Sequence, residues 1–273
     1  MCDICVMNAV KSKMLSRRDF FRASAAVAAT TAVGSAITAP PALAGGHASV
    51  VDMTQAFPAD FPTYFGTPAY EINQAFNFAE SGFNLFNLAH GEHAGTHIDA
   101  PLHFSADGQS VDEIPVSNLI CPLCVVDIAA KAAEDADAQV TPDDLAAWIS
   151  ANGEIPDGAC VAMHSGWASK ATGDGFRNVG DDEKMHFPGF HLEATQMLIE
   201  ETGAVAMAVD TLSLDHGISE DFATHYAWLP TNRYGIENIA GLDQVPAAGA
   251  TLVVGAPNHT GGSGGPARIF AMV

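Results

Sequence analysis

The stretch most informative for the fold runs from His90 to Phe104 and reads HGEHAGTHIDAPLHF. It gathers four histidines and two carboxylates within fourteen residues. Because nitrogen and oxygen donors are costly to bury without partners, this density indicates a shared positive ion. His97 and Asp99 point to one side of an extended segment, and Gly95 allows the turn that brings His93 to the same point. We therefore predict a metal site built from His93, His97 and Asp99.

The same side chains restrict the ion and the chemistry. Two imidazoles with a carboxylate suit Zn²⁺, and Mn²⁺ is an alternative if further oxygen ligands join. His103 follows Asp99 by four residues, so it either binds the ion or acts beside it as general base and then general acid. We favour the catalytic role for His103. His90 and Glu92 are expected to face solvent or to support the ligands from behind.

Composition excludes several classes of function. The 273 residues carry 11 Lys plus Arg against 32 Asp plus Glu, a formal charge of -21 that repels phosphate backbones and argues against nucleic-acid binding. With 48% hydrophobic and 16% charged residues, the chain is that of a folded globular protein. Cys121 and Cys124 open an apolar run, so buried thiols are favoured there over a zinc site or a disulfide.

The N-terminus has the organisation of an export signal. Arg17 and Arg18 are followed by an uncharged, Ala-rich segment, and small residues stand at Ala42 and Ala44, where a signal peptidase would read them. Paired arginines of this kind are typical of the twin-arginine route. We predict a cleaved signal over residues 1–44, contact with the twin-arginine export machinery, a periplasmic location, and no stable membrane insertion after cleavage.

The remaining residues, 45–273, are predicted to form a single domain of mixed α/β class. Thr141 is expected to cap a helix that Gly153 ends, and a second helix is expected over His191–Thr202, with Leu192 on its apolar face. Between the helices, short β-branched runs predict strands over Leu123–Ile128, Ala159–Met163, Ala204–Val209, Thr251–Val254 and Ile269–Val273.

Other segments are assigned to structure rather than to chemistry. The run Lys131–Gln139 is predicted to be a surface connection, and the glycine-rich run Gly261–Gly265 is predicted to be a loop. Phe83 and Phe86, just upstream of the histidine-rich stretch, are expected to pack into the core.

Beyond this local pattern, the chain resembles a known family. From His93 to His103 it matches H-x-G-T-H-x-D-x-P-x-H without a mismatch. This run resembles the signature of the cyclase family of metal-dependent hydrolases, which includes bacterial kynurenine formamidases and isatin hydrolases. Later segments that look like further blocks of the family are Phe187–Phe190, Val209–Asp215, Tyr234–Asn238 and Gly262–Arg268.

The resemblance implies a swivelling β/β/α fold, a site with one or two divalent ions, and a homodimer or homotetramer. It implies the metal ligands His93, His97, Asp99, His225 and Glu237, and the catalytic residue His103. Within this set, His225 and Glu237 stand twelve residues apart and would hold the second ion, with Asp99 as the bridge.

These observations predict metal-assisted hydrolysis of a small amide, lactam or lactone. A metal-bound hydroxide would attack the carbonyl, and His103 would carry the proton to the leaving nitrogen. The export signal favours opening of an isatin-like cyclic amide over hydrolysis of N-formylkynurenine. Trp167, which follows a predicted strand, is a candidate platform for a planar substrate. The non-enzyme alternative is an exported metal- or ligand-binding protein, which would not need His103.

Overall fold

The computed structural model describes residues 49–173 and 175–273. The predicted signal over residues 1–44 lies outside the described residues. In chain order the strands are β1 (Val50–Asp52), β2 (Tyr70–Phe76), β3 (Leu85–His90), β4 (His97–Asp99), β5 (Ile120–Asp127), β6 (Gln139–Val140), β7 (Cys160–His164), β8 (Gly189–Phe190), β9 (Ala206–Val209), β10 (Tyr234–Glu237), β11 (Ala250–Gly255), β12 (Gly264–Pro266) and β13 (Arg268–Met272). The helices are α1 (Phe78–Ser81), α2 (Ala129–Glu134), α3 (Pro142–Asn152), α4 (Leu192–Glu201) and α5 (Ala223–Trp228).

Nine strands form the central sheet in the order β1-β13-β11-β5-β7-β9-β10-β4-β12. The middle strands β5, β7, β9 and β10 run parallel, as expected where helices connect them, and antiparallel strands extend the sheet on both sides. All five strands predicted from β-branched runs are present. The predicted loop Gly261–Gly265 is wrong in part, because its last two glycines belong to β12 and pair with β4.

The two faces of the sheet are covered differently. Along β5, Cys124 and Val126 point to the face covered by helices, while Leu123 and Val125 point to the opposite face. The helical face also holds Leu145, Trp148, Leu198 and Trp228. On the opposite face, residues from β4 share one core with residues from β11 and β13, so the sheet curls over this core. The result is a mixed α/β fold with β layers beneath helices, as predicted.

Helix ends follow the sequence signals. The Thr141 side chain accepts a hydrogen bond from the backbone N–H of Asp144, which closes a capping box at the start of α3, and Gly153 lies directly after that helix. In α4, Leu192 is exposed, so its predicted place on the apolar face is wrong; the buried face of the helix is formed by Thr195 and Leu198 instead. The predicted surface connection after β5 contains most of α2, because its alanines favour a helix.

Buried thiols were predicted for this sheet and are present. Cys121, Cys124 and Cys160 are free and buried. Burial raises the pKa of Cys121 to about 11 and that of Cys124 to about 12, so both remain protonated.

Strands β2 and β3 form a separate two-stranded hairpin, which with α1 between them we call the hairpin arm, residues 70–90. Phe83 and Phe86 lie in this arm and are exposed, so their predicted place in the core is wrong. The core is closed by other side chains, and both faces of the arm remain open. Of the helices in the described ranges, none is both long and apolar enough to span a bilayer.

Candidate active site

Strand β4, next to the edge strand β12 of the central sheet, carries two of the predicted ligands, His97 and Asp99. It lies between β10 and β12, and its register places His97 directly opposite Glu237 of β10. Because side chains of paired residues project to the same face, this pairing puts the imidazole beside the carboxylate. The His97 Nε2 atom is 3.3 Å from Glu237 Oε2 and 3.2 Å from Asp99 Oδ1. His97, Asp99 and Glu237 therefore offer their donor atoms to one point.

The turn before β4 adds His93. Gly95 has a φ of 65°, a left-handed conformation that suits glycine, and it reverses the chain between His93 and His97. As a result, His93 Nδ1 lies 2.6 Å from Asp99 Oδ1. The carbonyl of Gly95 also accepts a hydrogen bond from His97 Nδ1 at 2.8 Å, which leaves Nε2 facing the carboxylates.

Helix α5 supplies His225 from the other side of the cluster. Its Nε2 atom is 3.2 Å from Glu237 Oε1 and 3.8 Å from Asp99 Oδ2. Its Nδ1 atom lies 2.6 Å from Asp215 Oδ2, and the same carboxylate accepts the backbone N–H of His225 at 3.1 Å. Asp215 therefore fixes both the start of α5 and the orientation of the ring. All five predicted ligands are thus brought together.

The donor set fits a divalent cation. His97 Nε2 and Asp99 Oδ2 are buried and have no hydrogen-bond partner, an arrangement that a positive ion would satisfy. Burial disfavours the charged imidazole, yet the Asp99 and Glu237 carboxylates raise the pKa of His97 to about 10. Burial likewise opposes the charge of Asp99, but the His97 charge lowers its pKa well below the ordinary value. The carboxylates thus require positive charge at this point.

His103 lies on a 3-10 turn, Pro101–Phe104, that directly follows β4. Its ring stacks on His93 with centroids 3.7 Å apart. Burial lowers the pKa of His103 to about 4, against the opposing effect of Asp99, so the ring is neutral near pH 7. A neutral imidazole at this position can accept a proton. A donor atom of His103 also lies within 4.8 Å of donors from His93 and Asp99, so a ligating role remains open.

A polar chain that sequence reasoning only partly anticipated supports His93. Its Nε2 atom contacts Ser263 Oγ at 3.0 Å, and Ser263 in turn donates to the Glu92 carboxylate. His259 Nε2 contacts the same carboxylate at 2.9 Å. Glu92 thus lies behind the ligands, as predicted. The sequence gives no signal for the contact of His259 with Glu92, because the two residues are far apart in sequence and meet only in the folded protein, where β12 pairs with β4.

A cavity of about 270 Å³ opens above the cluster. The proposed ligands other than Asp99, together with His103, form its polar floor. Its rim is aromatic, with Tyr64, Phe65, Phe104 and Phe222. Burial raises the pKa of Tyr64, and the nearby Glu237 carboxylate adds to this effect, so its hydroxyl stays protonated. The spacing of residues in the sequence does not predict this aromatic rim, because its four side chains come from three separate segments of the chain.

Trp167 lies elsewhere. Its side chain is 2% exposed, its indole N–H donates to the carbonyl of Phe176 at 2.8 Å, and it packs in a core cluster with Phe61 and Phe187. It does not line the cavity. The expectation of a substrate platform at Trp167 is therefore not supported, and the aromatic residues of the rim occupy that place instead.

Comparison with known proteins adds to this geometry. A family model described as putative cyclase matches residues 51–216, more than half of the chain. The chain belongs to the cyclase family. A model of the twin-arginine translocation signal sequence also matches residues 14–34, so the cyclase-family domain is preceded by a signal for that route.

Named relatives of this cyclase-family chain are hydrolases. An isatin hydrolase from Roseibium aggregatum is 31% identical over 251 residues, which cover 85% of this chain and 94% of the relative. A kynurenine formamidase from Salinibacter ruber is 28% identical over 197 residues, or 70% of this chain and 81% of the relative. The structure of isatin hydrolase A from Labrenzia aggregata superposes with a TM-score of 0.79 at 34% identity, covering 85% of this chain and 96% of that one.

Proposed function

We propose that this protein is a metal-dependent hydrolase that opens a small cyclic amide such as isatin. One observation carries the proposal: the donor atoms of three histidines and two carboxylates meet at the floor of an aromatic cavity, beside the neutral His103. The likeness to isatin hydrolase along 85% of the chain supports the same substrate class. An amide held in the cavity would present its carbonyl to the floor and its ring to the rim.

The proposed cofactor is one divalent ion or a pair that shares Asp99. Asp99 Oδ1 faces His93 and His97, while Oδ2 faces His225, so its carboxylate has the geometry of a bridge. Zn²⁺ is the favoured ion because imidazole and carboxylate are its usual catalytic ligands, and Mn²⁺ is the alternative. When bound, the ion would polarise the amide carbonyl and activate a water molecule as the nucleophile.

The protein side chains contribute proton transfer, orientation and exclusion of solvent. Water adds across the amide: oxygen bonds to carbon, the C–N bond breaks, and nitrogen gains the proton that water loses. In this proposal the neutral His103 ring takes that proton on its unprotonated ring nitrogen and returns it to the amide nitrogen. Asp215 keeps the His225 ring oriented, and the aromatic rim limits the access of bulk water to the reacting bond.

The alternative substrate is N-formylkynurenine, and one feature of the cavity disfavours it. That substrate carries an amino-acid carboxylate, which enzymes hold with a cationic side chain. Among the described residues, those that line the cavity include no lysine or arginine. A neutral bicyclic lactam needs no such partner. A lactone would contact the same residues at the floor of the cavity, so a lactone is included in the same assay.

The test is turnover of isatin and N-formylkynurenine by the metal-loaded protein, before and after chelation and reloading with Zn²⁺ or Mn²⁺. We expect isatin hydrolysis that chelation abolishes and one of the ions restores. Bound metal without turnover of isatin, N-formylkynurenine or a lactone would favour the ligand-binding alternative. A protein that retains no divalent ion would contradict the assignment of His93, His97 and Asp99.

The His103→Ala variant separates an enzyme from a binding protein. Removal of a general acid–base group lowers kcat by roughly 10²–10⁴-fold, whereas metal content should stay at the wild-type level if His103 is not a ligand. Equal loss of metal and activity would instead identify His103 as a ligand. Unchanged turnover would remove it from the mechanism.

We propose that the twin-arginine signal ends at Ala44 and delivers residues 45–273, as a single domain, to the periplasm. The signal match to residues 14–34 supports the route, and the small residues before the cut support the boundary. Mass spectrometry of the exported protein should give a chain that begins at Gly45. Retention in the cytoplasm on replacement of Arg17 and Arg18 by Lys would confirm the route, and unchanged export would contradict it.

We also propose that the chain is a homo-oligomer held through the hairpin arm. The arm exposes Ile72, Phe76, Phe78, Phe83, Leu85, Phe86 and Leu88. At about 200 Å² per large side chain, half-exposed, this is roughly 700 Å² of apolar surface, close to the ~800 Å² that each partner buries in a standard interface. An isolated two-stranded hairpin is marginal in water, and a two-fold axis would let two arms cover each other.

Light scattering tests the oligomer. The double variant Phe86→Asp, Leu88→Asp should shift the mass toward one chain, while Val116→Asp, an exposed apolar position outside the arm, should not. A wild-type chain that is monomeric at micromolar concentration, or an oligomer that survives the double variant, would contradict this interface.

A further inference from the structure

Phe222 breaks two local rules at one position. It has φ 50° and ψ 41°, a left-handed backbone conformation that non-glycine residues rarely adopt. It also stands directly before α5, at the N-cap, where Ser, Thr, Asp, Asn or Gly is preferred because a large apolar side chain cannot accept the helix N–H bonds. Glycine or asparagine would satisfy both requirements. A phenylalanine here therefore calls for a reason beyond the backbone.

The surrounding structure fixes this conformation. Directly after Phe222, the backbone N–H of Thr224 donates to Asp215 Oδ1 at 2.8 Å, and the hydroxyl of Thr224 donates to the carbonyl of Phe190 at 2.9 Å. Directly before it, Asp221 accepts the backbone N–H of Ala223 at 3.3 Å. These contacts hold the chain on both sides, and the reversal at Phe222 turns its ring into the cavity rather than into solvent.

The ring completes the aromatic rim. Its centroid lies 5.6 Å from that of Phe104, 6.0 Å from Tyr64 and 5.9 Å from the His225 ring. The Phe104 and Tyr64 rings are each inclined to it by 49°. These centroid distances are those of interacting aromatic rings. Phe222 is therefore the link between the Tyr64 segment, the turn after β4 and the ligand helix α5.

We propose that Phe222 is a specificity-determining residue that selects substrates whose scissile amide is fused to a flat aromatic ring. A flat aromatic ring makes offset or edge contacts with the aromatic rim that stabilise binding in addition to the burial of apolar surface, whereas a saturated ring contributes only the burial. In this proposal the strained backbone holds the Phe222 ring next to the substrate. When the substrate amide contacts the metal ligands at the floor of the cavity, the aromatic ring fused to that amide lies against Phe222. The proposal rests on the proposed function and narrows its substrate class.

The experiment compares two dicarbonyl lactams on the metal-loaded protein: isatin, and a gem-dimethyl pyrrolidinedione that keeps the reacting group but lacks the fused benzene ring. Both are tested for turnover and, at equilibrium, for binding by calorimetry. The variants are Phe222→Gly, which relieves the backbone and removes the ring, and Phe222→Leu, which keeps apolar bulk without aromaticity. The matched control is Glu183→Gly, which relieves another left-handed non-glycine backbone, φ 64°, at an exposed residue that does not line the cavity.

We expect wild type to prefer isatin, and Phe222→Gly to lower that preference about tenfold, mainly through KM. Phe222→Leu should lose most of the preference too, and Glu183→Gly should keep it. The melting temperature of Phe222→Gly should stay close to that of wild type, because relief of the left-handed backbone offsets the lost ring contacts. A role confined to folding would instead lower stability and change both substrates in proportion.

The outcomes separate this inference from the proposed function. Turnover of both lactams without preference, or a preference that survives Phe222→Gly, would overturn the role of Phe222 and leave the hydrolase intact. Selective binding of isatin that depends on Phe222, without turnover of either lactam, would support the role of Phe222 and overturn the hydrolase. Equal affinity for both lactams, or affinity for neither, would overturn the role of Phe222.

Discussion

Replacement of Asp215 by Ala tests the site through a residue that does not itself face the cavity. The change removes a carboxylate that accepts the backbone N–H of Thr224 at 2.8 Å, the backbone N–H of His225 at 3.1 Å and His225 Nδ1 at 2.6 Å. All three residues are buried. Truncating one partner of a buried charged pair costs about 3–5 kcal/mol. At roughly 2–4 °C per kcal/mol for a domain of this size, the melting temperature should fall by about 6–20 °C.

The same substitution should weaken metal binding. His225 would keep its position in α5 but lose the partner that orients its ring, and loss of such a partner lowers metal affinity roughly 10–100-fold. Chelator competition with Zn²⁺ measures this effect directly. Asp215→Asn, which keeps an acceptor oxygen but no charge, should fall between wild type and Asp215→Ala. Asp221→Ala removes another carboxylate at the start of α5 without touching His225, so it should leave Zn²⁺ affinity unchanged.

One result would refute this reasoning. If Asp215→Ala melts early but binds Zn²⁺ as tightly as wild type, then Asp215 serves only the start of α5, and His225 is not a ligand. If Asp221→Ala weakens Zn²⁺ binding to the same extent, the effect comes from the helix start rather than from the imidazole.

Three further predictions concern residues that do not line the cavity. Thr141→Ala removes the cap of α3 and should cost about 1 kcal/mol of unfolding free energy, seen by thermal melting with full activity retained. Gly264→Ala would place a Cβ atom 2.2 Å from the carbonyl oxygen of Ile98, so β12 should separate from β4, with lower stability and weaker Zn²⁺ binding by chelator competition. Hydrogen bonding to Asp137 raises the pKa of His186. The protonated His186 therefore stabilises the folded protein below about pH 6.5, and this stabilisation is lost as pH rises through the raised pKa. His186→Gln should lower the melting temperature at acid pH, and this difference should vanish at alkaline pH.

Local signals accounted for much of the fold. The two ends of α3 are defined by Thr141 and Gly153, which act on neighbouring backbone groups, so the sequence alone located both ends. The predicted ligands on β4 lie within a few residues of one another, and their chemistry is visible in the sequence. Such features depend on contacts over short chain distances, where residue type and spacing decide the outcome.

Non-local pairing was beyond the reach of the sequence. β12 is rich in glycine, which has low strand propensity. It nevertheless pairs with β4, and Gly264 allows this pairing because any side chain there would clash with the carbonyl oxygen of Ile98. Phe83 and Phe86 are hydrophobic like core residues, but the hairpin that carries them is not paired with the central sheet, and both side chains are exposed. In both cases the rest of the fold, rather than local propensity, decided where the residues lie.

The site itself depends on backbone reversals that periodicity does not describe. Gly95, Phe222 and Asn238 have φ values of 65°, 50° and 58°, and each lies within three residues of a proposed ligand. The paired strands β4 and β10 bring His97, Asp99 and Glu237 together through their register. The reversal at Gly95 adds His93 to these donors, and the reversal at Phe222 precedes the helix that carries His225. Asn238 also joins two of these reversals, because its side-chain amide donates to the carbonyl of Gly95 at 2.8 Å. Left-handed positions therefore border the functional site here, because His93 and the ring of Phe222 reach it only where the chain leaves regular secondary structure.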